Sequence, residues 1–221
     1  MFKQSLIDFD SLHRETVDGK RHYVTPEGKK YPSVSTVTGL STAAGIKKWR
    51  QRVGAKEANK ISAQASKRGT GIHKLCEDYV SNKDLDFSKV MPDSLMLFKE
   101  SVKPILDSCL EEVFAVECML YSDYLQVAGQ VDCVGIWKGK PAIIDFKTSS
   151  KRKKREWIGN YFMQEAAYAV MFEEMTGIPI NRTVTMVVVW TDRSQVFVES
   201  RDDHIAMFQQ WRGIYKEKYG V

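Results

Sequence analysis

Gly129-Gln130-Val131-Asp132-Cys133-Val134-Gly135-Ile136-Trp137, then Lys138-Gly139-Lys140, then Pro141-Ala142-Ile143-Ile144-Asp145-Phe146-Lys147, is the stretch on which the reading of this chain turns. Two β-branched and aromatic runs, Gln126 to Trp137 and Pro141 to Thr148, flank a Lys-Gly-Lys turn signal. A third run, Val113 to Leu120, precedes them across an Asp-Tyr turn. Apolar runs of this length bounded by turn residues predict a three-stranded meander. Side chains alternate faces along a strand, so Asp145 and Lys147 point one way and Phe146 packs on the other side. If the strands of Asp132 and Asp145 pair through the turn, their carboxylates converge on one site with Lys147 beside it. An isolated Asp-x-Lys tripeptide is usually a turn acid and a solvated lysine. Here it caps Ala142-Ile143-Ile144, too apolar for a surface strand, and a glycine-preceded acid belongs to the neighbouring strand.

Working outward, an amphipathic helix is predicted over roughly Trp157 to Thr176, stopped by Gly177 and Pro179. A buried strand Val184 to Trp190, a turn at Asp192-Arg193-Ser194, another strand and a last helix from about Asp203 follow. Upstream, Arg21 to Val24 and Lys30-Tyr31 form a hairpin about Pro26-Glu27-Gly28. Residues Ala43 to about Asn82 favour helix, with breaks at Gly54 and Gly69-Thr70-Gly71, and a further helix runs from Asp93 to Cys109. From the helix of Asp93 onward the order is α, β, β, β, α, β, β, α. This is an α/β chain with a mainly helical N-terminal half. It is read as one domain, with a hairpin and helical region at 1–110, a core at 111–200 and a C-terminal helix at 201–221.

Composition bounds the classes. The 221 residues are 43% hydrophobic and 28% charged, an ordinary globular balance. No window approaches the ~20 apolar residues that cross a bilayer. The start Met1 to Ser5 lacks the basic and apolar regions of a signal peptide, so a cytoplasmic location and no membrane partner are expected. Cys76, Cys109, Cys118 and Cys133 show no zinc-ligand spacing and read as reduced core thiols. A net charge of +5 permits a polyanionic partner without requiring one.

Hard oxygen ligands such as Asp132 and Asp145 suit Mg²⁺ or Mn²⁺. A divalent ion there lowers the pKa of bound water and offsets charge on a scissile phosphate, while an ammonium orients or deprotonates the attacking water. At this point the chain resembles the RecB-like branch of the PD-(D/E)xK nuclease superfamily. That branch combines a helical histidine, a G-x-x-D strand, a D-x-K strand and a Q-x-x-x-Y helix. The matching residues are His73 after Gly69-Thr70-Gly71-Ile72, Gly129 to Asp132, Asp145 to Lys147, and Gln164 to Tyr168, together spanning roughly residues 69 to 170. Tyr31-Pro32-Ser33-Val34-Ser35 and the helix of Lys47-Lys48-Trp49 are similar to the N-terminal region of the mitochondrial genome maintenance exonucleases and their phage relatives.

The resemblance implies a restriction-endonuclease-like core, a mixed central sheet flanked by helices. It implies catalytic roles for Asp132, Asp145, Lys147, Glu117, Gln164 and Tyr168, and a metal site of His73, Asp132, Asp145 and Phe146. Glu77, one helical turn beyond His73, is the alternative to Glu117 as the additional acid. None of the cysteines lies beyond Cys133, where the iron–sulfur members of the branch carry their cluster, so no cluster is expected.

Lys151-Arg152-Lys153-Lys154-Arg155 begins four residues after Lys147, and beside a phosphodiesterase centre such a run contacts a DNA backbone. Lys48 and Trp49, with Ser33 and Ser35, complete the expected DNA-binding set, and Trp157 and Tyr161 are further stacking candidates. The expectation is an exonuclease on single-stranded DNA with a free end, acting in replication, repair or recombination, in a bacterial or phage-infected cell. The absence of an Arg-rich leader argues against an uncleaved mitochondrial precursor. A duplex-specific exonuclease or endonuclease, a DNA-binding module without catalysis and a small-molecule phosphohydrolase are the alternatives. A monomer is the default, the sequence giving no oligomeric state.

Overall fold

The β-branched runs form strands, and their sheet organises the molecule, a computed structural model that describes residues 1–88 and 90–221. Short strands come first: β1 (Lys3–Gln4), β2 (His13–Val17), β3 (Lys20–Val24) and β4 (Lys30–Pro32). Helices α1 (Val34–Val53) and α2 (Ala55–Val80) follow, then α3 (Pro92–Leu97), a π-helical turn at Phe98–Val102 and α4 (Lys103–Cys109). The meander is β5 (Leu110–Ser122), β6 (Val127–Trp137) and β7 (Lys140–Ser149). Then come α5 (Gly159–Thr176), β8 (Arg182–Val189), β9 (Gln195–Ser200) and α6 (Arg201–Tyr219).

The main sheet has the order β1-β5-β6-β7-β8-β9. Strands β5, β6 and β7 pair antiparallel, as the short turns between Ser122 and Val127 and between Trp137 and Lys140 dictate. Strands β7 and β8 pair parallel, which needs a crossover, and α5 supplies it. The sheet is therefore mixed, with helices on both faces. Ile72, Leu75 and Cys76 of α2, with Phe98, Val102 and Leu106, pack against Cys133, Ile144, Phe146 and Met186. On the other face Val34 and Val37 of α1, Met163 to Phe172 of α5, and Phe208 and Tyr215 of α6 cover Val131, Val134 and Ile143. Strands β2, β3 and β4 form a separate antiparallel sheet, tied to β6 by a bridge between Ser33 and Ala128.

Several boundaries differ from expectation for identifiable reasons. Helix α1 starts at Val34, not Ala43, because Ser33 caps it, its Oγ accepting the Thr36 N–H at 3.1 Å. Gly54 does break the helix, at φ 83°, but Gly69-Thr70-Gly71 does not, and α2 runs through it. Two helical glycines cost about 2 kcal/mol. Full burial of Ile72 and Leu75 on the next turn contributes roughly 1.5–3 kcal/mol each and outweighs that. The expected helix from Asp93 to Cys109 is present but contains the π turn, where the Lys103 N–H reaches Phe98 O. Pro104, which has no N–H to donate, follows directly. Strand β2 was not expected because His13-Arg14-Glu15-Thr16-Val17 has no apolar alternation, and β1 is only two residues long. All four cysteines are free thiols, three buried and Cys118 half-buried. Among the described residues no helix is long and apolar enough to cross a membrane.

Candidate active site

The β6–β7 ladder ends at Cys133↔Ile144. One residue further, β6 continues with β5 alone and β7 with β8 alone, so Asp132 and Asp145 flank the point where neighbouring strands splay. Asp132 Oδ2 accepts the Phe146 N–H at 2.8 Å, replacing the ladder bond that the backbone of β6 no longer reaches. On β5 the flanking pairs Val116↔Cys133 and Cys118↔Val131 set Glu117 across from Asp132. Glu117 adopts φ 49°, a left-handed conformation that costs roughly 1–3 kcal/mol for such a residue and is characteristic of functional sites. From α2, His73 Nδ1 lies 3.4 Å from Asp132 Oδ2, its ring edge-on to that of Phe146.

One ligand atom each from His73, Glu117 and Asp132 lies within 4.8 Å of the others. Two carboxylates and an imidazole so grouped are a donor set that fits a hard divalent cation with positions left open. Of the two glutamates left open by the sequence, Glu117 joins this group. Glu77 carries ion pairs to Lys74 at 3.1 Å and Lys83 at 3.6 Å instead. Asp145 stands outside the close set. It is buried, ion-paired with Lys147, and accepts a hydrogen bond from Gln164 Nε2 at 3.2 Å. Phe146 is packed in the core, its ring against His73 and its N–H on Asp132.

Gln164 and Tyr168 project from one face of α5, and Gln164 Nε2 also donates to Tyr168 Oη at 3.3 Å. The Tyr168 ring lies against the backbone of β6 at Gly129: a Cβ there would stand 2.7 Å from Cε1 of the ring. The glycine of the strand motif makes room for the tyrosine of the helix motif. Lys147 Nζ sits 5.3 Å from the centre of the Tyr161 ring, within cation–π reach.

Electrostatics divides the groups. Burial pushes the Glu117 carboxyl up to about 7, with Asp132 adding to the effect. Burial also pushes Asp145 up, to about 6, against the opposing pull of Lys147. Burial alone would raise Asp132 too, but the hydrogen bond and charge of His73 bring it below its ordinary value. Burial disfavours the Lys147 ammonium, yet Asp145 and Asp132 overcome this and hold it more firmly protonated than a free lysine.

A cleft of about 700 Å³ opens onto His73, Glu117 and Asp132, with Asp145 and Lys147 behind its lining. Its walls include His73, Glu117, Gly129, Asp132, Gln164 and Tyr168, and also Ser33 and Ser35. Lys48 and Trp49 do not line it. They lie on the second half of α1, Lys48 exposed and Trp49 half-buried. Nor does the basic run, which follows β7 beside the β8–β9 edge. There Arg152 pairs with Asp192 at 3.4 Å, Arg155 pairs with Glu199, and Lys153 bonds through its backbone to Gln195. Trp157 is exposed next to Lys154.

The sequence reading missed Arg14, Arg21 and Tyr23, which line the cleft from β2 and β3. A signal was present: Asp18-Gly19, both at positive φ, is a two-residue hairpin turn. It also missed Glu165, fully buried beside the site, whose Oε1 accepts from Thr185 and whose Oε2 has no hydrogen-bond partner.

With this geometry in hand, comparison with known proteins gives a relative at low identity. The chain resembles a known exonuclease. Mitochondrial genome maintenance exonuclease 1 of Xenopus tropicalis is 25% identical over 212 residues, covering 90% of this chain and 59% of that protein. The chain thus spans about six-tenths of that exonuclease's length. Two crystal structures are similar at a lower level. A candidate exonuclease of Eubacterium rectale has a TM-score of 0.46 at 11% identity, covering 69% of this chain and 68% of that one. The protein SSO0001 has a TM-score of 0.41 at 13% identity, covering 80% and 74%. No protein-family model matches the chain.

Proposed function

We propose that residues 1–221 form one nuclease unit that hydrolyses DNA phosphodiester bonds with a divalent cation, Mg²⁺ or Mn²⁺, acting on single-stranded DNA from a free end. The observation that carries this reading is the convergence of His73, Glu117 and Asp132 next to the ion pair of buried Asp145 and half-buried Lys147, where β6 and β7 splay. Similarity to a protein named as an exonuclease supports the same reading. That relative is named as mitochondrial, so the comparison does not point to a bacterial or phage setting.

A cation held by His73, Glu117 and Asp132 would supply positive charge for the scissile phosphate and lower the pKa of a bound water. The chain's own groups do the rest. Lys147, kept charged by Asp145, is suited to orient the attacking water and stabilise charge on the phosphoryl oxygens rather than to remove a proton. Asp145 fixes that ammonium, and Gln164, bonded to Asp145 and Tyr168, holds the carboxylate in place from α5. Burial of Asp145, with Lys147 half-buried beside it, strengthens each of these interactions.

The test is digestion of linear single-stranded DNA labelled at either end, against circular single-stranded and duplex controls, with Mg²⁺, Mn²⁺ or EDTA. Loss of the linear strand alone, only with metal, is expected. Cutting of circles would replace the exonuclease with an endonuclease. Binding without cutting under every metal condition would leave the non-catalytic module.

A further inference from the structure

The hairpin of β2 and β3 carries a feature that the catalytic reading does not use. Cross-strand partners share a face, and the pairs Arg14↔Tyr23 and Thr16↔Arg21 put Arg14 and Arg21 on the same face. Glu15 and His22 form the opposite face, where Glu15 pairs with Lys30 at 3.0 Å. The arginine face looks into the cleft that holds His73, Glu117 and Asp132.

The hairpin is held firmly. Tyr23 is buried against Leu12, Tyr31 and Ala128, and the Ser33 N–H donates to Arg21 O at 2.9 Å just before Ser33 bridges to β6. The charges of the cleft are otherwise engaged. Lys74 is paired with Glu77 and Asp78, and His73 with Asp132. Ser33, expected to contact phosphate, has its hydroxyl in the cap of α1. Among the described residues, Arg14 and Arg21 are the cleft-lining cations with no carboxylate partner, and both are exposed.

We propose that Arg14 and Arg21 form a clamp for a backbone phosphate of the substrate strand, next to the phosphate at the acidic group. This rests on the reading of the site as a phosphodiesterase and specifies its substrate as a polynucleotide rather than a small phosphodiester. The chemistry follows from the cleft. Its lining presents the acids Glu117 and Asp132, so entry of a nucleic-acid strand is favoured by uncompensated cations on the wall. Guanidinium forks match phosphate oxygens in a bidentate geometry. Neither arginine pairs with Glu117, Asp132 or Asp145, which leaves both guanidinium groups open to a phosphate other than the one at the acidic group.

The experiment is fluorescence anisotropy in EDTA with a labelled single-stranded oligodeoxynucleotide and a series in which one phosphate at a time is a neutral methylphosphonate. The proteins are wild type, R14Q/R21Q and R14K/R21K, each checked for folding by thermal unfolding. R14Q/R21Q is expected to bind the oligonucleotide about 10- to 100-fold more weakly, with a salt slope smaller by about 0.7, the value for one phosphate on a single strand. At one position the methylphosphonate weakens wild-type binding and has no further effect on R14Q/R21Q. R14K/R21K is expected to regain the salt slope but only part of the affinity. Equal binding by wild type and R14Q/R21Q, or a methylphosphonate effect undiminished in that variant, would overturn the clamp. Full recovery by the lysines would overturn its bidentate geometry. Wild type that shows this pattern yet cuts no DNA with Mg²⁺ or Mn²⁺ would overturn the phosphodiesterase reading alone.

Discussion

Adding one methyl group at Gly129 tests whether the strand and helix motifs are linked by packing. In Gly129→Ala the new Cβ would lie 2.7 Å from Tyr168 Cε1, 3.2 Å from its Oη and 3.4 Å from its Cζ. Carbon–carbon contacts relax to roughly 3.5–4.0 Å, so the ring has to move by about 1 Å. Tyr168 is 3% exposed and packed in the core under α5, which leaves little room for that shift. Overpacking of this kind costs about 1–3 kcal/mol. The displacement also pulls Tyr168 Oη from Gln164 and loosens the Gln164 bond to Asp145. Urea unfolding at pH 7 should show a lower midpoint with unchanged slope, and nuclease turnover should fall with it. Tyr168→Leu removes the clashing ring, so the double variant should be less destabilised than the two single effects added together. Stability of Gly129→Ala within about 0.5 kcal/mol of wild type, or strict additivity in the double variant, would refute the packing argument.

Other outcomes follow from the same geometry. Glu117→Gln should weaken Mn²⁺ binding at least about tenfold, whereas Glu77→Gln should change it far less, as read by calorimetry; the effect of second-shell partners sets that scale. Because the Glu117 carboxyl is pushed up to about 7, its proton must leave for it to serve as a ligand, so Mn²⁺ affinity should rise as pH increases from 5.5 to 8. Burial raises the Glu165 carboxyl well above 4.5, so the folded state keeps a proton that the unfolded state releases, and stability falls as pH rises above about 4.5. Glu165→Gln lacks that loss, and its unfolding free energy relative to wild type should grow between pH 4.5 and 8 in urea titrations. If the basic run binds DNA, replacing Lys151, Lys153 and Lys154 with Gln should reduce the salt slope by no more than about 2, and Arg152→Gln, already paired with Asp192, should add little.

The sheet was legible because its order follows from local signals. The Lys138-Gly139 turn, both residues at positive φ, forces β6 and β7 to pair, and Gly177 stops α5 in the left-handed conformation, whereas the parallel pairing of β8 with β7 was not read. The small β2–β4 sheet was only half legible: β3 and β4 carry buried aromatics, whereas β2 is polar on both faces and its turn signal was passed over. At the site, periodicity put Asp145 and Lys147 on one face, and pairing of the two strands through the Lys138-Gly139 turn added Asp132. That periodicity does not show that β6 and β7 part beyond Cys133, nor that Asp145 is tied to Lys147 and Gln164 instead of sharing the close group of His73, Glu117 and Asp132. The choice between Glu117 and Glu77 also lay outside it. It depends on a backbone conformation at Glu117 that no residue type announces, and on Lys74 and Lys83 engaging Glu77. The basic run was visible as charge, but its neutralisation by Asp192 and Glu199 across 40 or more residues was not.

The central claim is that the Asp132–Asp145–Lys147 arrangement cleaves phosphodiesters. Single-turnover cleavage of an end-labelled linear single strand by wild type and Lys147→Ala, each saturated with Mn²⁺ and folded to the same extent, tests it most directly. Metal-dependent cleavage by wild type is expected, with a rate about 10²- to 10³-fold lower for the variant, the scale of losing one preorganised charge at a transition state. Equal rates, or cleavage by wild type that persists in EDTA, would contradict it.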